Sequence, residues 1–134
     1  MLKLSETFML ECEELDKDHN RLVEMANGIS SLIDSGKCEG CEAKVLEFIN
    51  FAKNHFGREE QLLAKAGYPD VAKHREHHRT LYEKMDHLVQ FAGKAAVNEM
   101  ARESLKKELV FFVMDDVITT DLDFKAFINE SQGA

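Results

Sequence analysis

The sequence predicts an all-α chain folded as an up-down four-helix bundle, on three observations. Four long stretches carry helical periodicity, most of the glycines fall between them, and no stretch sustains the alternation of a strand. Short connections between long helices favour antiparallel neighbours. The first helix is expected over about 18–35, with His19, Leu22, Val23, Ala26, Ile29 and Ile33 on its inner stripe and Gly36 beyond it. The second spans about 41–66 and carries Val45, Phe48, Ala52, His55, Glu59, Leu62 and Leu63 on one face, with Gly67 at its end. Gly67-Tyr68-Pro69-Asp70 reads as a tight break with Pro69 placed to start the next helix. The third, about 70–92 and closed by Gly93, turns Val71, His74, His78, Leu81, Tyr82, Met85 and Val89 inward. The fourth, about 98–118, has Leu105, Leu109, Phe112, Asp116 and Val117 in line, and a short tail from Asp121 to Asn129 is expected to be helical.

Length suits one domain, 1–134, with an N-terminal arm over 1–15. Hydrophobic residues make up 44% of the chain and include nine Phe, enough for a core. The formal charge of −8 disfavours nucleic acid or an anionic membrane surface as partner, and it favours a monomer. No segment approaches the roughly 20 apolar residues that span a bilayer, and charge enters the N-terminus too early for a secretory signal. With an odd three cysteines, the expected location is the cytoplasm.

What departs from an ordinary bundle is the polarity of its inner stripes. His19, His55, Glu59, His74, His78 and Asp116 stand where Leu or Val belongs. Residues four apart on a helix differ by about 40° in direction and about 6 Å in height. His55 with Glu59, and His74 with His78, therefore each aim two donors at one point. Left unpartnered, each buried group costs about 1–3 kcal/mol against a domain's net stability of about 5–15 kcal/mol. Metal ions satisfy them together, and imidazole with carboxylate suits iron, manganese or zinc.

The motifs run Asp16-x-x-His19, His55-Phe56-x-x-Glu59-Glu60, Gly67-Tyr68-Pro69, His74-x-x-x-His78 and Ile118-Thr119-Thr120-Asp121. In this order, over nearly the whole chain, they resemble those of the single-domain bacterial hemerythrins. The resemblance implies a hemerythrin-like bundle holding two iron ions, bridged by two carboxylates and an oxo or hydroxo group; manganese is the alternative metal. By resemblance Glu59 and Asp121 are the bridging carboxylates. His19 and His55 bind one iron, which keeps a position open for dioxygen, and His74 and His78 bind the other. The family's third histidine on that other iron lies five residues before the bridging aspartate, where this chain has Asp116. Asp116 is expected as the seventh ligand, with Asp115 as a rival that points elsewhere. Asp116 and Asp121 are about 140° apart on a regular helix, so a shared site requires the helix to end or widen near Thr119-Thr120. The chain also lacks tryptophan, with Leu4 and Phe112 at the positions where the family often has one, and Glu11 replaces a common glycine.

The implied function is dioxygen binding for storage, delivery or sensing. An ionised Asp116 on the metal would add negative charge and favour the ferric state, which tilts the expectation toward an oxidase or peroxidase using oxygen or peroxide. A third alternative is a metal-free helical interaction module. Around the centre, Asp16 is expected to cap the first helix or to bond a ligand imidazole. His77 is placed near the surface or behind the ligands, Glu60 and His87 in solvent, and Phe48, Phe51, Phe56, Phe111 and Phe112 mostly in the core. Cys38-Glu39-Gly40-Cys41, at a helix start that can lower a thiol pKa, is a weaker candidate for redox or metal chemistry.

Overall fold

Among the described residues, four α-helices, alternating in direction, line up in the order the periodicity dictates: α1 Glu13–Asp34, α2 Cys41–Ala66, α3 Val71–Lys94 and α4 Glu99–Phe111. The computed structural model describes residue 10 and residues 12–128, so Leu4, Glu11 and the tail's Asn129 lie outside the described residues. Each helix packs on the next, and α4 with its continuation closes back on α1.

The ends of the helices follow local chemistry. Helix α1 begins at Glu13, inside the span expected as an arm, with Glu13, Glu14 and Asp16 in its first turn, where carboxylates suit the positive end of the helix dipole. Helix α2 ends on Gly67 at φ 79°, a left-handed position that a β-carbon disfavours. Pro69 lies in the turn rather than at the first helical position, because α3 starts only at Val71. Gly93 falls inside the last turn of α3 instead of closing it. Asn98 caps α4 by accepting the Ala101 N–H at 3.0 Å.

Helix α4 does not continue as an α-helix to residue 118. From Phe112 to Thr119 it widens into a π-helix, followed by a 3₁₀ turn over Leu122–Phe124 and one helical turn over 125–128. The hydroxyls of Thr119 and Thr120 donate to the carbonyls of Met114 and Asp115, five residues back rather than the three or four usual for threonine. That spacing matches the i→i+5 ladder of the widened turn.

Among the described residues, two apolar clusters fill the bundle. The larger includes Leu22, Ile29, Val45, Phe48, Phe56, Leu81, Met85, Leu105, Leu109, Phe112 and Ile118; the smaller joins Leu10, Cys12, Leu15, Leu63, Phe124 and Ile128. Burying each large side chain contributes about 1.5–3 kcal/mol. Phe48 and Phe112 meet edge to face, their ring centroids 5.8 Å apart. Not every expected core position is buried: Phe111 and Tyr82 are exposed, lying under Lys84 and Lys53 respectively. Along the chain, the polar inner residues fall where the helices pass from one cluster to the other.

Candidate metal centre

Six of the seven expected ligands come together. His19 of α1, His55 and Glu59 of α2, His74 and His78 of α3, and Asp121 just past the π-helix are all buried. Their donor atoms form two overlapping groups: His19, His55, Glu59 and Asp121 in one, and Glu59, His74, His78 and Asp121 in the other, each within 4.8 Å. Glu59 and Asp121 belong to both. All four imidazoles present Nε2 to these carboxylates. His19 Nε2 is 2.8 Å from Asp121 and His55 Nε2 is 3.0 Å from Glu59. His74 Nε2 bonds Glu59 and lies 3.2 Å from Asp121, and His78 Nε2 is 3.1 Å from Glu59.

Asp116, expected as the seventh ligand, is in neither group. Its carboxylate takes both oxygens to Lys84 Nζ, at 2.9 and 2.8 Å. The expected widening of the helix is present, and it returns Asp121 to the core while Asp116 faces α3. A π-bulge changes the angle between successive residues, so the regular-helix stripe that placed Asp116 inward does not survive beyond Phe112.

The electrostatics are those of cations and anions held in a dry core. Burial disfavours the His55 imidazolium, but hydrogen bonds to Asp121 and Asp18, with the negative charge of the adjacent Glu59, outweigh it and raise its pKa well above the ordinary value. The same opposition raises His74 to about 9, through Asp121 and Glu59. Burial pushes Asp121 up, yet bonds to Glu59, His19, His55 and His74 hold it well below the usual carboxylate range.

The donor set fits metal on a further observation. Among the described residues, two buried side-chain atoms lack a hydrogen-bond partner, His19 Nδ1 and Glu59 Oε2. The Glu59 oxygen is close to His55 Nε2 without the angle of a hydrogen bond, and it sits in the middle of the cluster. A buried carboxylate oxygen left so is costly unless a cation takes it.

The hemerythrin HHE cation-binding domain matches residues 12–118. The chain belongs to the hemerythrin family. It is 24% identical over 117 residues to a bacteriohemerythrin of Stenotrophomonas maltophilia, covering 87% of this chain and 76% of that one. It is 29% identical over 120 residues to a myohemerythrin of Theromyzon tessulatum (90% and 88% covered). A bacteriohemerythrin of Pseudomonas aeruginosa is 27% identical over 104 residues, 76% and 67% covered. Hemerythrin-type domains bind a di-iron centre, and this cluster of histidine, glutamate and aspartate is able to hold one. The family match stops before Asp121, so the inward place of that residue is seen in the fold.

Residues around the hemerythrin cluster are where sequence reasoning missed most. Asp16 neither caps the helix nor touches an imidazole; it accepts the Leu10 N–H at 2.7 Å. Asp18 bonds the imidazole instead, accepting from His55 Nδ1 at 3.0 Å while Arg58 holds the same carboxylate. Burial alone would raise the Asp18 pKa, but His55 and Arg58 bring it below the ordinary value. Glu60, expected in solvent, is half-buried and accepts from His78 Nδ1 at 3.2 Å. His77 is half-buried and its Nε2–H donates to the Asp116 carbonyl at 2.8 Å, while His87 is exposed as expected. The sequence signal is partial: an arginine three residues from a cluster histidine, in His55-x-x-Arg58 and Arg75-x-x-His78, marks which histidines are held this way but not which carboxylate of the neighbouring helix holds them.

The cysteine pair does not favour the redox reading. Cys38 and Cys41 are buried thiols, and burial, followed by the neighbouring Cys38 and Glu39, raises the Cys41 pKa.

Proposed function

We propose that this chain holds two iron ions on His19, His55, His74, His78, Glu59 and Asp121, and binds dioxygen there for storage, delivery or sensing. The observation that carries the reading is the pair of buried four-residue groups that share Glu59 and Asp121. One donor set with two shared carboxylates suits two adjacent ions better than one. Bound iron would supply the electrons that dioxygen takes up on binding and returns on release. The protein's own contribution is to orient four Nε2 atoms and to keep water out. Phe56 stacks on His78 at 4.1 Å, and Phe124 meets the His74 ring edge-on at 5.2 Å, so apolar rings cover the second group from both clusters. Asp18 and Glu60 hold the Nδ1 protons of His55 and His78, which leaves Nε2 as the ligating atom.

Asp116 is left out of this ligand set. The oxidase or peroxidase reading drew its support from Asp116 as an ionised ligand, and a carboxylate engaged by Lys84 removes that support. No described helix is long and apolar enough to cross a membrane. We place the protein in the cytoplasm, a reading that the odd count of three cysteines supports.

The test is anaerobic loading with ferrous iron, metal analysis and oxygen titration. Two irons per chain and a visible absorption band that appears with air and fades on degassing are expected. A chain that binds neither iron nor manganese favours the interaction module and refutes the proposal. Steady consumption of peroxide with a reductant, without reversible oxygen binding, favours the enzyme.

A further inference from the structure

Each half of the cluster contains one histidine held from behind in the same way. In the first half, Asp18 of α1 accepts from His55 Nδ1 at 3.0 Å, and Arg58 reaches the same oxygen through Nε and Nη2, both at 3.0 Å. In the second, Glu60 of α2 accepts from His78 Nδ1 at 3.2 Å, and Arg75 Nε lies 3.3 Å from its other oxygen. In both, histidine and arginine stand three apart on one helix and so share a face, and the carboxylate comes from the neighbouring helix to lie between them. The two clamps differ in strength. The Asp18 side chain is 12% exposed and its arginine 36%, and Arg58 also lies over the Phe51 ring. Glu60 is 25% exposed and Arg75 50%, with longer contacts throughout.

We propose that Asp18–Arg58 and Glu60–Arg75 are positioning pairs for the two metal ions, and that their inequality makes the ion on His19 and His55 the slower to leave. A carboxylate behind an imidazole fixes its tautomer and ring angle and increases its donor strength, and loss of such a partner typically costs 10–100-fold in metal affinity. A water-screened, longer contact constrains the ring less. The inference rests on the two-ion reading above.

The experiment uses the full chain loaded anaerobically with ferrous iron and follows release to a chromogenic ferrous chelator. Two phases of equal amplitude are expected. Asp18→Asn accelerates the slower phase about tenfold or more and spares the faster one, while Glu60→Gln accelerates the faster phase by a smaller factor. The melting temperature of each metal-free variant is measured alongside, because a purely structural role would lower it without choosing between phases. Should Asp18→Asn fail to fold, Arg58→Gln, which leaves the carboxylate in place but untethered, must accelerate the same slow phase. A single phase in the unaltered chain, equal acceleration of both phases, no acceleration, or a larger effect from Glu60→Gln overturns the proposal. A chain that takes up no iron refutes the function reading and this proposal together, whereas two ions released indifferently to both variants refute only this one.

Discussion

Replacing Asp116 by asparagine separates two accounts of the centre. If Asp116 serves only Lys84, the change removes an ion pair at the rim of the bundle. Coulomb attraction near 3 Å at an effective permittivity of about 20 is on the order of 5 kcal/mol. Lys84, however, is 44% exposed, so solvent screening and the entropy of holding its side chain cancel most of this. Such pairs contribute about 0–1 kcal/mol in practice. Asparagine also keeps one oxygen for Lys84 and leaves the backbone carbonyl that His77 bonds. The expected outcome is a loss below about 1 kcal/mol in denaturant unfolding of the metal-free chain, with unchanged iron content. If Asp116 is a ligand instead, its ion loses a charged donor and binds far more weakly. A fall from two irons to one per chain in Asp116→Asn would refute the six-residue ligand set.

Three further outcomes are expected. Glu59→Gln removes a carboxylate common to both groups, so it should abolish uptake of both ions rather than halve it, as metal analysis will read. In the metal-free chain His74 titrates near 9 rather than near 6.5. Its contribution, on the order of a few kcal/mol, is therefore complete below about pH 6.5 and lost as pH rises through about 9, visible as a falling unfolding midpoint; iron uptake, which must displace that proton, should strengthen over the same window. Phe48→Ala opens a cavity among fully buried side chains and should cost about 3–5 kcal/mol, lowering the melting temperature by on the order of 10 °C in calorimetry.

The sequence alone determined the helical class, the bounds of α2 and the inward direction of His19, His55, Glu59, His74 and His78, because these depend on interactions within a single helix. An imidazole and a carboxylate four residues apart share a face whatever the neighbours do, and His55 with Glu59, or His74 with His78, needs nothing more. Asp121 was assigned through family resemblance, since no regular helix could bring it to the face that Asp116 shares with Leu109 and Phe112. Tertiary structure decided between them. The i→i+5 ladder over Phe112–Thr119 rotates everything beyond it, and Lys84 from α3 supplies the countercharge that holds Asp116 away from the centre. The choice of Asp18 over Asp16 behind His55, and of Glu60 behind His78, belongs there too. Those contacts depend on the register of one helix against the next, which side-chain packing sets and no local spacing encodes.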